Sequence, residues 1–324
     1  MLSKADVTVL GYLAVERRLY VDCLPQYPVE GSTGSEQIPS ITNDAPVVAL
    51  ALSQAGVCVD AALNNPGSTS SPARAATDLL QRKTRQLRMG PDCGEPLEIH
   101  VIDHGGNRLW FSDPSCGVSS LYSVDVAGLS GRWTYLDAFV WIDATWLRNK
   151  LPAYHDGLFI NLGKRTTESA SRVIDHWVHD LAGKIVVQVS LGPSDVSSAI
   201  EWAKDTFENQ RAGSLVVTLG ASGLVLVDKY NCEFVPGSPV DVDGKVADHS
   251  GAGAAVSAAY LREMLASEPM STRTLAERLA LAGARQCQTQ GCLDSASREE
   301  RLSTLASFGF GSAESVRSDS ARSS

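Results

Sequence analysis

Short apolar runs of strand length alternate with longer helical stretches along most of the chain, and this alternation constrains the fold more than any other feature. Parallel strands need crossover connections, usually helices, and those helices cover both faces of the sheet. DVTVLGYL, residues 6–13, reads as a buried first strand. APVVALALSQAG, residues 45–56, reads as a small apolar helix stopped by Gly56, with VCVDAAL as the next strand. PARAATDLLQRKTRQLRM, residues 72–89, reads as a helix with a charged face. Further strands are expected at LDAFVWI (136–142), at GLFINL (157–162) and from Lys184 in KIVVQVSLGPSD. ESASRVIDHWVHDLAG and SAIEWAKDTFENQRAG supply helices, the second ending at Gly213. SLVVTLGASGLVLVD reads as two strands about a glycine turn, and two helices follow, in GAGAAVSAAYLREMLAS and STRTLAERLALAGARQCQTQG. One stretch breaks the pattern. LEIHVIDHGGNRLWFS, residues 97–112, alternates on either side of Gly105-Gly106 and predicts a hairpin, part of a small extra sheet or lid.

Charge and cysteine usage exclude several function classes. The net charge of −9 and pI near 5.2 argue against a nucleic-acid partner, which wants a basic face. MLSKADVTVLGYLAV has no charged leader before a long apolar segment, so no signal peptide is expected. The longest apolar run, VVALALSQAGV, is too short to span a bilayer, and a soluble cytoplasmic protein is expected. The seven cysteines are scattered without a C-x-x-C pair. The closest two, Cys287 and Cys292, have no histidine beside them, which predicts reduced thiols rather than zinc. His176 and His179 share one face of a helix, read as a solvated face rather than a metal site. The expected organisation is a single domain over 1–310, with a lid from about 14–40 and 95–113, and a Ser-rich disordered tail over 311–324.

Chemistry concentrates at Asp248-His249-Ser250-Gly251-Ala252-Gly253 before a helix. Small residues let the backbone turn tightly, and the first helical N–H groups point outward at the positive end of the dipole. That combination holds an anion. About thirty residues earlier stands VVTLGASGLVLVD. Together, T-L-G-x-x-G and D-x-x-G-A-G resemble the C-terminal half of the PfkB carbohydrate kinases, the ribokinase-like family. VTVLGYLAVERRLYVDCLP is similar to that family's first strand and lid segment, and Gly106-Asn107-Arg108 to the end of its lid hairpin.

The resemblance implies a three-layer α/β fold with a mostly parallel central sheet and a small β lid. It implies ATP- and Mg²⁺-dependent phosphoryl transfer to a hydroxyl of a sugar or nucleoside, and a homodimer through the lid. Gly251, Ala252 and Gly253 would cradle the phosphate, Thr218, Gly220 and Gly223 would lie against ATP, and Asp248 would sit near a monovalent cation. Departures cluster at the chemistry. Ala254 stands where the family has its proton-accepting aspartate, a group worth roughly 10²–10⁴-fold in rate. His249, in the motif's threonine position, is a candidate substitute base. On the substrate side Glu16 replaces an aspartate, Thr42-Asn43 replace Gly-Gly, and Val47 replaces an asparagine. Gly192 and Ser194 replace an acid and an amide, and no N-x-x-E segment is legible. The residues leave three readings open: a divergent kinase, a non-catalytic protein that binds a nucleotide or small molecule, and a changed reaction on the same scaffold.

Overall fold

The computed structural model describes residues 4–21, 24, 34–36, 40–67, 71–103, 108–142, 151–177, 181, 183–192, 195–210, 213–237, 249–266 and 269–287. Nine strands form a central sheet in the order β14-β13-β12-β11-β10-β9-β1-β5-β6. They are β1 (Ala5–Gly11), β5 (Val59–Asn65), β6 (Gln86–Asp92), β9 (Ser130–Leu136), β10 (Ala153–Lys164), β11 (Ile185–Ser190), β12 (Ser214–Thr218), β13 (Gly223–Asp228) and β14 (Cys232–Pro236). The pairs from β6 through β12 are parallel, whereas β12–β13 and β13–β14 are antiparallel. The fold class expected from the sequence is the one found.

Period-two alternation sends each strand's side chains to two separate cores. On β1, Val7 and Val9 enter one core and Leu10 the other. On β12, Val216 enters the first, while Leu215 and Val217 enter the second. The first core lies under α1 (Asp44–Gln54), α2 (Ser71–Lys83), α6 (Ala252–Leu265) and α7 (Thr272–Gln286). The second lies under α3 (Ser115–Tyr122), α4 (Thr167–Trp177) and α5 (Val196–Gln210). Each fully buried Val, Leu, Ile or Phe contributes about 1.5–3 kcal/mol of transfer free energy. Among the described residues, no helix is long and apolar enough to cross a membrane.

Local chemistry sets the helix ends. Asp44 in the first turn of α1 favours the positive end of the helix dipole. Pro46 is tolerated there because that turn's N–H groups need no intrahelical partner. Gly56, at φ 81°, follows the last turn of α1 in the left-handed conformation glycine accepts. Ser271 caps α7 by accepting the Thr274 N–H at 3.1 Å.

A second sheet has the order β3-β2-β7-β8, with β4 also on β2. Its strands are β2 (Ala14–Val21), β3 (Gly34–Glu36), β4 (Ser40–Thr42), β7 (Leu97–Asp103) and β8 (Arg108–Ser112). β7 and β8 are the antiparallel pair expected from LEIHVIDHGGNRLWFS, and the turn between them lies outside the described residues. Alternation on β7 buries Glu98, His100 and Ile102 and leaves Leu97, Ile99 and Val101 more open.

Two expected elements are corrected, and one helix is added. The helix expected over 72–89 ends at Lys83, and 86–92 is the edge strand β6. The strand expected over 136–142 lies earlier, as β9, and 138–142 is a 3₁₀ turn. There the Asp137 carboxylate accepts the Phe139 N–H at 2.9 Å and turns the chain out of the sheet. Finally, α3 was not expected.

Candidate functional site

In parallel α/β sheets ligands bind beyond the carboxyl ends of the strands. Here that edge carries Gly11, Asp137, Lys164, Ser190 and Thr218. It also carries the N-terminus of α6, whose cap Gly251 is left-handed at φ 79°. Two glutamines from different elements hold the loop before this helix. Gln188, on β11, donates Nε2 to the Gly253 carbonyl at 3.0 Å. Its Oε1 lies 3.0 Å from Ser257 Oγ, which is also 3.2 Å from that carbonyl. Gln286, on α7, donates Nε2 to the Ser250 carbonyl at 3.3 Å. A buried, mutually satisfied network of this kind fixes the backbone that borders it.

Ala252 and Gly253 open α6, and His249 is exposed, its carbonyl accepting the Ala252 N–H at 3.4 Å. Ala254 is fully buried, in the same core cluster as Ala45, Val47 and Tyr135. Asp248 and Ser194 lie outside the described residues, as does His179, the second member of the histidine pair. Thr218 ends β12, with Oγ1 3.5 Å from the Val189 carbonyl. Gly220 has φ 58° and Gly223 φ 120°. A Cβ at Gly223 would fall 2.1 Å from the Val235 carbonyl oxygen, so closure of the β13–β14 pair alone requires glycine there. Gly192, at φ 71°, turns the chain after β11 beside the Lys164 stem.

The lid end of the site is made of side chains. Glu16, on β2, is fully buried, with Oε2 3.1 Å from His100 Nδ1. The other ring nitrogen, Nε2, is 3.3 Å from Glu98 Oε2. Glu98 Oε1 accepts from Asn43 Nδ2 at 3.1 Å and lies 3.5 Å from Ser112 Oγ. The carboxylate that aligned with a sugar ligand therefore faces an imidazole, which is flanked by a second carboxylate. Thr42 ends β4, and Asn43 is the non-glycine among the described residues with positive φ, at φ 74° and ψ 157°. That region is costly for any residue with a Cβ. Asparagine thus keeps a glycine-like backbone at the position where the resemblance expects glycine. Val47 is buried in the core.

A third group, at the ends of β1, β9 and β10, escaped sequence reasoning. Asp137 accepts the Tyr12 N–H at 2.7 Å as well as that of Phe139. A Cβ at Gly11 would fall 2.2 Å from Asp137 Oδ2 and 2.4 Å from Ala45 Cβ, so glycine there permits the close approach. Burial pushes the Asp137 carboxyl up to about 7, aided by the negative charge of Asp44 and opposed by the backbone N–H bonds. Asn161 Nδ2 donates to Asp44 Oδ2 at 2.6 Å and lies 3.1 Å from Tyr135 Oη. Burial raises the Tyr135 hydroxyl well above the usual phenol range, and Asp44 and Asp137 raise it further. The one signal in the sequence was a lone acid, Asp137, after the apolar end of β9, too common a pattern to single out.

Among the described residues, no group of three or more His, Cys, Asp or Glu side chains is placed to hold a metal. Magnesium brought by a nucleotide is usually held by the phosphates with one or two carboxylates. The left-handed Gly251 and the pinned helix terminus suit the phosphates themselves.

No family model matches the chain, and no curated protein matches its sequence. Solved structures do match in shape. A microbiome-derived acarbose kinase superimposes with a TM-score of 0.64 at 19% identity, covering 94% of this chain and 100% of that one. A nucleoside kinase from Burkholderia thailandensis, solved with inosine, gives 0.63 at 14% identity over 94% and 98%. The ribokinase of Thermotoga maritima gives 0.59 at 12% identity over 93% and 99%. The nine-stranded sheet, its two helical layers and the smaller sheet beside it are therefore the ribokinase-like fold.

Proposed function

We propose that this chain is an ATP-dependent kinase that transfers a phosphoryl group to a hydroxyl of a sugar or nucleoside, in the cytoplasm and with magnesium. The observation that carries this reading is the α6 terminus. A left-handed Gly251 opens a helix at the carboxyl edge of the sheet, and Gln188 and Gln286 hold its loop by two carbonyls. Gly251, Ala252 and Gly253 would cradle the transferring phosphate, with Thr218 and Gly220 beside the nucleotide. The kinases it resembles in shape act on acarbose or nucleosides by name, which supports the substrate class. Phosphoryl transfer relies on positioning and charge stabilisation more than on covalent chemistry, so loss of the base at Ala254 slows it without abolishing it.

A second reading is favoured by two observations. Glu16 already engages His100, and Ala254 is packed in the apolar core, as expected of a fold that binds a nucleotide without turning over a sugar. Either protein would pair through the outer lid face, where Leu19, Ile99, Leu109 and Phe111 are exposed. Sedimentation velocity of the native chain and of Phe111→Asp tests that pairing.

The deciding experiment is ADP release from ATP and magnesium across sugars and nucleosides, for the native chain and Ala254→Asp. Substrate-dependent release by either protein supports the kinase. Silence from both, with ATP bound at equilibrium, supports the binding protein.

A further inference from the structure

Resting on the kinase reading, we infer that Asp44 is the base that takes the acceptor hydroxyl's proton, in place of the group missing at Ala254. Asp44 stands in the first turn of α1 and is half-buried. The next residue, Ala45, packs on Gly11, so the first turn of α1 is fixed over the end of β1. The carboxylate is held by an oriented donor. Asn161 Oδ1 accepts the Gly163 N–H at 2.9 Å, which sets the amide so that its Nδ2 faces Asp44 Oδ2 at 2.6 Å. An acid held by a fixed amide N–H presents an acceptor oxygen to that donor.

The helix that carries Asp44 packs against the helix that the phosphate loop opens, α1 on α6. Asn161 Nδ2 is also 3.1 Å from Tyr135 Oη. Ser257 lies one turn beyond Ala254 on the same face of α6 and touches the Gly253 carbonyl at 3.2 Å. Ala45 and Ala254 share one core cluster. Asp44 thus stands on a hydrogen-bonded group at the carboxyl edge of the sheet, on a helix packed beside the one whose loop would hold the γ-phosphate. His249, the base considered from sequence, is exposed.

In the step, a lone pair of the acceptor hydroxyl forms the new bond to the γ-phosphorus. The bond from that phosphorus to the β–γ bridging oxygen breaks, and its electron pair leaves with ADP. The hydroxyl proton passes to the Asp44 carboxylate and then to water. Asn161 is a positioning residue, since it acts through Asp44.

The test measures ADP release from ATP and magnesium over the sugar and nucleoside panel, with ATP affinity by equilibrium dialysis. Asp44→Asn should lower kcat by about 10²–10⁴-fold with ATP affinity unchanged. Formate should restore part of the turnover of Asp44→Ala, which a merely structural role would not produce. If Asp44→Asn loses ATP binding through misfolding, Asp44→Glu decides the matter. A longer arm on the same network should lower kcat at least tenfold, and an unchanged kcat overturns the inference. Full kcat in Asp44→Asn overturns the inference and leaves the kinase reading standing. So does a silent native chain that Ala254→Asp makes active. Silence from both the native chain and Ala254→Asp removes the kinase reading and this inference with it.

Discussion

At the α6 end of the site the groups offered to a ligand are backbone groups, held in place by Gln188 and Gln286. At the lid end they are side chains, Glu16, His100, Glu98 and Asn43, held by one another. The backbone end depends on a left-handed glycine and tolerates change in its neighbours. The side-chain end depends on each member's charge and length, so one substitution rewires it. This contrast explains how a ribokinase-like sheet and its glycine loop coexist with a lid end so unlike the pattern the resemblance implies.

The largest effect should come from the lid end. His100→Leu leaves Glu16 and Glu98 buried without the imidazole that lies within 3.3 Å of both. Leaving a buried polar group without its partner costs about 1–3 kcal/mol, so for the two carboxyl groups together the loss should be roughly 2–6 kcal/mol, to be read from the urea midpoint. A loss below about 1 kcal/mol would mean that the imidazole is not what holds Glu16 and Glu98 and that the two ends differ less.

Between the two ends sits Asp137, and its effect is comparable in size but visible only against pH. Its carboxyl is raised to about 7 in the folded chain from an ordinary 3.8. The folded state therefore holds a proton that the unfolded state releases. That contribution is fully present below about pH 4 and is lost as pH rises through about 7. At roughly 1.4 kcal/mol per unit, the total is on the order of 4 kcal/mol. Thermal melts of Asp137→Asn across pH 4–8 should show this part of the slope removed; an unchanged slope would assign the titration elsewhere.

Gln188→Leu addresses the backbone end. It removes the donor to the Gly253 carbonyl and the partner of Ser257, at about 1–3 kcal/mol. ATP affinity should fall with stability, since the loop is released. Stability lost with ATP affinity intact would separate the loop from nucleotide binding.

The smallest effect is expected of Asn43→Gly. Relief of positive φ is worth about 1–3 kcal/mol, and leaving a buried Glu98 oxygen without its Asn43 donor costs about 1–3 kcal/mol, so the two nearly cancel. The net change in urea midpoint should lie within about 1 kcal/mol of zero. A larger loss would show that the Asn43–Glu98 contact governs the lid end.

Much of this was legible in the chain itself. Runs such as DVTVLGYL and KIVVQVSL, set between helical stretches, pointed to the parallel sheet, because strand and helix periods are local properties. LEIHVIDHGG determined a paired lid strand with Glu98 and His100 on one face. The left-handed turn at Gly251 was readable because glycine is the residue favoured where φ is positive. The edge strand β6 was not, since RKTRQLRM extends the helical charge pattern and only contact with β5 decides otherwise. Partners were also beyond local sequence. Glu98 meets Asn43 from another segment, Asn161 reaches Asp44 across 117 positions, and Gln188 reaches Gly253 across 65. Local sequence determined which residues turn, alternate and cap, for these follow from backbone sterics within a few residues. Tertiary structure decided which acids are buried and what they face, because desolvation and hydrogen bonding depend on neighbours that only folding brings together.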